Sequence, residues 1–298
     1  MTSIPPSVPP PFAPLALAFA LALGALAGLF AWLVGATPAG AVATGALGAG
    51  VAYAIATRRD RRRRRIAAAP FPAAWRKVLE GEVAYYRDLE APERARFERE
   101  VAYFLAEQRI AGPRGAAVAD DLRVLVAASA VVLAFGRPGY RYPTARDVVV
   151  YDDAFSDDYA VDAGGPILGM VHQQGPILFS AKALRQGFRG ERDGLNVGYH
   201  ELAHVLDFDG GPADGVPSMM PFGSIGPWTR LMSQEYEKNQ KRRRARRKDV
   251  LRQYAFTNEA EFFAVATEVF FEQPRKLKGK HPELYGLLVE TYGQDPAA

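Results

Sequence analysis

Cysteine is absent from all 298 residues. That absence excludes a disulfide framework, a thiolate nucleophile and any cysteine-ligated metal site, so a metal here must rely on imidazoles and carboxylates. Histidine is nearly as scarce, with four in the chain: His172, His200, His204 and His281. Charge of one sign is missing too, because the formal net charge is only +4. The runs Arg58 to Arg65 and Lys241 to Lys248 carry +6 and +7, which leaves −9 for all other residues. An acidic main body argues against a broad nucleic-acid-binding face, and no direct nucleic-acid contact is expected. The length suits one substantial domain, or one domain plus an appendage.

Charged residues are also absent from two long N-terminal stretches. Phe12 to Val34 is apolar throughout and long enough to cross a hydrocarbon core of about 30 Å as a helix. Thr37 to Ala56 is a second, Ala- and Gly-rich candidate, and a tight turn around Gly35 to Thr37 would make the pair a transmembrane helical hairpin. A cleaved signal peptide fits less well, since residues 1 to 11 lack a basic n-region and a further uncharged segment follows directly. The Arg58 to Arg65 cluster then reads as a cytoplasmic stop that also meets lipid headgroups. Residues 1–66 are thus expected to form a membrane anchor, and residues 67–298 a domain on its cytoplasmic side. The Lys241 to Lys248 run reads as a solvated helix or loop, with anionic lipid as the alternative contact.

Within the second part, Ala73 to Tyr86, Ala91 to Gln108 and Asp121 to Phe135 show helical spacing. Asp147 to Tyr151 and Gly175 to Ser180 are short apolar runs bounded by turn residues, as expected of strands. The fold class is α+β, mainly helical with a small sheet. The strand at Gly175 to Ser180 is expected to offer an edge to an extended peptide.

The chemistry concentrates in Asn196-Val-Gly-Tyr-His-Glu-Leu-Ala-His-Val-Leu-Asp207. On a helix, His200 and His204 stack one turn apart, so both imidazoles can reach one ion. Glu201 lies about 100° round the helix, where it flanks the metal as a general base instead of ligating it. The HExxH spacing arises by chance about once in a hundred chains of this length, so its surroundings must decide. A helical wheel puts Asn196, His200, His204 and Asp207 on one face, with Leu195, Tyr199, Leu202 and Leu206 opposite. Asp207 is placed to accept the second ring N–H of a histidine, or to be an ordinary surface acid. A third ligand is still required. Thr257 to Glu272 reads as a buried helix capped by Thr257 or Asn258, with Glu261, Glu268 and Glu272 along one stripe. Glu261 and Glu268 are about 10 Å apart along the axis, so one of them ligates, and spacing does not choose between them. His172 and His281 have no histidine four residues away and are expected to be structural or surface residues.

These strings, with Ala213-Asp-Gly-Val-Pro217 and Asn258-Glu-Ala-Glu-Phe-Phe-Ala-Val265, resemble the Mlc titration factor A family of bacterial zinc metallopeptidases. Val171-His-Gln-Gln174, Gly175-Pro-Ile-Leu178 and Gln294-Asp-Pro296 extend the likeness, which runs from about Phe71 to Pro296. The catalytic domain of lethal-factor-like toxins is similar around Tyr254 and the Asn258 string. The resemblance implies a zincin-like domain with one Zn²⁺ held by His200, His204 and Glu261. Glu201 is then the base, and Tyr254 the donor to the developing oxyanion. It implies a peptide or protein substrate. It also supplies the rival function, a binding protein of little or no catalytic power that sequesters a transcriptional repressor at the membrane. The N-terminal hairpin departs from the family pattern and points to the bacterial inner membrane, with the catalytic domain facing the cytoplasm and lipid as a partner.

Overall fold

The computed structural model describes residues 13–143, 147–152, 169–171, 175–190, 193–209, 211–244 and 249–298. The chain divides into two compact units, Met1–Pro70 and Phe71–Ala298. In the first unit, helices α1 (Ala13–Leu33) and α2 (Pro38–Ala56) are joined by a turn in which Gly35 takes φ 98°, a left-handed value that favours glycine. The Thr37 side chain caps α2 by accepting from Gly40 N at 3.2 Å. The two helices approach through glycines. A methyl group at Gly24 would lie 2.5 Å from the Gly45 carbonyl, and one at Gly45 would lie 2.9 Å from the Gly24 carbonyl. Larger side chains point outward: Leu15, Phe19, Phe30 and Leu47 are all exposed. By length and composition, each helix can cross a membrane. Helix α3 (Arg58–Ala68) carries the arginine cluster.

The second unit is mainly helical with a small sheet. Its centre is α7 (Asp120–Ala134), where every residue from Val124 to Leu133 is buried. A helix apolar all round needs neighbours on all sides. It has them in α4 (Ala73–Glu82), α6 (Ala91–Glu107), α8 (Ala181–Arg189) and α9 (Val197–Phe208). The run expected as one helix over Ala73 to Tyr86 is broken at Val83, after which α5 covers Ala84–Asp88.

Strands β1 (Ile110–Ala111), β2 (Val148–Tyr151), β3 (Gly169–Val171) and β4 (Ile177–Ser180) form one sheet in the order β1-β2-β4-β3. β1, β2 and β4 run parallel, and β3 is antiparallel to β4. This corrects one expectation: β4 is no edge, because β2 and β3 hydrogen-bond it on both sides. Its four residues are all buried, as an interior strand requires. Among the described residues, the outer strand beside it is β3.

The C-terminal part consists of α10 (Phe222–Arg244), a short 3-10 turn at Gln253–Phe256, α11 (Glu259–Glu272), α12 (Pro274–Lys280) and α13 (Pro282–Tyr292). Phe262, Phe263 and Phe270 of α11 are fully buried, each worth about 1.5–3 kcal/mol of apolar transfer. Trp228 of α10 packs edge-on to Phe262 and Phe263, fixing α11 from the other side. Of the Lys241 to Lys248 run, 241–244 continue α10, while 245–248 lie outside the described residues.

Candidate metal centre

Helices α9 and α11 pack against each other, and the side chains singled out in the sequence face one another across that contact. The start of each helix is set by an asparagine. Asn196 accepts from Tyr199 N at 3.2 Å, and Asn258 accepts from Glu261 N at 2.9 Å. Gly198, in the first turn of α9, admits the close approach of α7, since a Cβ there would overlap Ser129 Oγ. Tyr199, Leu202 and Leu206 are buried on the core side.

On the other side, His200, His204 and Glu261 each place one ligand atom within 4.8 Å of the others. The imidazole rings meet edge to face with centroids 4.9 Å apart. His200 Nε2 lies 3.1 Å from Glu261 Oε2, and His204 Nε2 lies 3.5 Å from Glu261 Oε1. The two histidines are 9% and 8% exposed, so this polar face is enclosed and not solvated.

The arrangement calls for a cation. His200 Nδ1 is 2.7 Å from Glu268 Oε1, a hydrogen bond that takes the ring's proton to the Nδ1 side. Nε2 then turns its lone pair towards a carboxylate oxygen. Glu261 Oε2 is buried and accepts no hydrogen bond. Acceptor facing acceptor in a buried site is unfavourable unless a positive charge lies between them. Without a metal, that charge must be protons: burial lowers the His200 pKa, but Glu268 and Glu261 outweigh it and hold it up at about 10. Burial alone would raise Glu261, but the two histidines, donating to it and attracting it once they are protonated, carry it well below the usual carboxylate range. Two imidazoles and one carboxylate are a donor set that binds a divalent transition ion, and these residues fit one.

Glu201 is 4% exposed, and burial pushes its carboxyl up to about 8, with His200 opposing and Glu261 and Glu268 reinforcing. Tyr254 is half exposed at the lip, its ring centroid 6.0 Å from that of His200. Partial burial, and then Glu261 beside it, raise its hydroxyl above the ordinary range.

Two expectations need revision. Asp207 is fully buried but serves no histidine: its Oδ2 accepts from Gly215 N at 3.0 Å and so pins the loop after α9. Leu195 precedes the helix and is 47% exposed, not core. Of the two alternatives for His281, structural or surface, the first holds: it is buried between Glu235 and Asp249 at 3.1 and 2.9 Å. His172 lies outside the described residues. Sequence reasoning missed Arg252 altogether, although its guanidinium reaches Glu268 at 2.5 Å. Four residues after the Lys241 to Lys248 run, it had no signal of its own in the sequence.

Residues 57–293 match the family described as Glucose-regulated metallo-peptidase M90. An uncharacterized protein of Synechocystis sp. is 28% identical over 246 residues, 80% of this chain and 90% of that one. Mlc titration factor A of Yersinia enterocolitica is 27% identical over 242 residues, 76% of this chain and 87% of its own. Mlc titration factor A of Serratia proteamaculans is 32% identical over 157 residues, 50% of this chain and 58% of its own. The family match takes in α9 and α11 entire, the two helices that bring the metal-capable group together, and on that ground the chain belongs to the glucose-regulated metallo-peptidase M90 family.

Proposed function

We propose that this protein is a membrane-anchored, zinc-dependent peptidase of zincin-like fold, with residues 1–66 as the anchor and 67–298 as the peptidase domain. The observation that carries the proposal is the convergence of His200, His204 and Glu261 within ligand distance of one ion, with Glu201 buried next to them. His200, His204 and Glu261 would hold one Zn²⁺, the ion best suited to such a set with one position left open. That ion would supply Lewis acidity towards the scissile carbonyl and the attacking water. Glu201, buried beside the ion position, takes the proton of the water during attack and delivers it to the leaving amine. Tyr254 donates its hydroxyl hydrogen to the developing oxyanion. An extended peptide or protein segment is the substrate.

The two N-terminal apolar helices and the arginine cluster that follows them support insertion in a bacterial inner membrane, with lipid headgroups around α3 and the peptidase domain on the cytoplasmic side. The name carried by the Serratia and Yersinia relatives supports a second reading, capture of an Mlc-type transcriptional repressor at the membrane without cleavage.

Hydrolysis of a chromogenic peptide by the full chain in detergent, wild type beside Glu201→Gln, separates the two. A peptidase loses about 10²- to 10⁴-fold of turnover in the variant while keeping its zinc. A binding protein shows no turnover in either form.

A further inference from the structure

Glu268 takes no part in the proposed chemistry, yet it is among the best-satisfied acids in the molecule. It is 2% exposed and receives donors from two separate stretches of chain. His200 Nδ1 approaches Oε1 at 2.7 Å, and Asn196 N donates to Oε2 at 2.8 Å. Arg252 spans both oxygens, with Nη2 on Oε1 at 2.5 Å and Nη1 on Oε2 at 3.4 Å. Asn196 is also the cap of α9 and donates through Nδ2 to Glu272 at 3.2 Å, so the first turn of the metal helix is tied twice to the far end of α11.

The geometry has two consequences. Glu261 and Glu268 are seven residues apart, two turns along the same face of α11, so one helix grips both nitrogens of one imidazole. Glu261 faces Nε2 and Glu268 faces Nδ1. Rotation of the ring about its Cβ bond would break the Nδ1 hydrogen bond, and the lone pair of Nε2 therefore stays aimed at the ion position. Arg252, in turn, stands two residues before Tyr254, at the start of the 3-10 turn that presents that tyrosine. Its ion pair binds the tyrosine's backbone segment to the carboxylate behind the imidazole.

We infer that Glu268 is a positioning residue for the metal ligand His200, and that Arg252 acts through Glu268 to hold the Tyr254 segment in register with the metal centre. The inference rests on the zinc peptidase reading and adds to it a link between a ligand and the oxyanion donor, which come from different segments of the chain. A fold-stabilising buried ion pair is the competing explanation, and it predicts different behaviour.

The test uses the full chain in detergent as wild type, Glu268→Ala, Glu268→Gln, Arg252→Ala and Arg252→Lys. Four readings are taken: zinc affinity by chelator competition, the visible absorption of the Co²⁺-loaded protein, the unfolding midpoint without metal, and kcat and KM on a chromogenic peptide. Glu268→Ala is expected to bind zinc about 10- to 100-fold more weakly, with shifted cobalt bands. Glu268→Gln keeps a neutral acceptor for Nδ1–H and falls between that variant and wild type. Arg252→Ala keeps zinc affinity within a few-fold but lowers kcat with KM unchanged, and Arg252→Lys recovers part of the loss. Wild-type affinity and an unshifted cobalt spectrum in Glu268→Ala would overturn the inference. If Glu268→Ala does not fold, the same result in Glu268→Gln overturns it. Variants that lose only their metal-free unfolding midpoint support the structural explanation and overturn it equally. A wild-type protein that takes up neither metal removes the zinc peptidase reading itself, an outcome distinct from the others.

Discussion

His200 Nε2 and Glu261 Oε2 stand 3.1 Å apart, brought face to face by separate helices in a largely buried position. The folded chain holds them there because α9 and α11 are each fixed by a capping asparagine and by buried aromatic side chains on their other faces. An arrangement so short of positive charge makes the metal-free protein sensitive to pH.

In the metal-free protein the pKa of His200 rises from 6.5 to about 10, and that of Glu201 from 4.5 to about 8. Both groups hold their protons more tightly folded than unfolded. Their contribution to stability is therefore full below the unfolded pKa and is lost as pH rises through the folded one. Metal-free protein should become easier to unfold between pH 6.5 and 10, with Glu201 adding to the decline from pH 4.5 to 8. Saturating zinc supplies the missing charge and should flatten the profile. Thermal melts across this range, with and without zinc, check both statements.

Trp228 connects the metal helix to the domain's other side. Its indole N–H donates to the Gly215 carbonyl at 2.8 Å, and Gly215 N is held in turn by Asp207 of α9. Replacing Trp228 by Ala empties a fully buried site against Phe262 and Phe263 and should cost about 3–5 kcal/mol. Trp228→Phe keeps most of the packing and loses the hydrogen bond, about 1 kcal/mol. Urea unfolding of the two variants should rank them in that order, and equal losses would mean that packing is not the larger share.

The site was legible in the sequence to different depths. His200, Glu201 and His204 declare themselves because four-residue spacing translates directly into one helix face. Glu261 needed family resemblance, since nothing in the spacing of a stripe of acids says which one meets a partner on another helix. The part played by Glu268 was hidden for the same reason: its partners His200 and Asn196 lie 68 and 72 positions away. Arg252 carried no pattern at all. The interior place of β4 was hidden because nothing in the apolar run Ile167 to Val171, which contains β3, says that it pairs with the free side of β4. Burial of His281 depends on Glu235 and Asp249, again distant in the chain. Local periodicity fixes elements, whereas pairing between elements depends on tertiary packing.

The lack of cysteine turns the membrane topology into a clean measurement, because any introduced thiol is the only one present. Ala36→Cys lies in the turn between α1 and α2, and Ala69→Cys follows the arginine helix. With the arginine cluster inside, a membrane-impermeant maleimide should label Ala36→Cys in spheroplasts and reach Ala69→Cys only after lysis. The reverse pattern would place residues 67–298 outside the cytoplasm, and labelling of both in spheroplasts would mean that the hairpin does not span.

Anomalous diffraction at the zinc edge, from crystals of zinc-loaded full-length protein, tests the central claim most directly. The account predicts one peak about 2.0–2.2 Å from His200 Nε2, His204 Nε2 and a Glu261 carboxylate oxygen. A peak at any other set of residues, or protein saturated with zinc that shows none between these three, would contradict it.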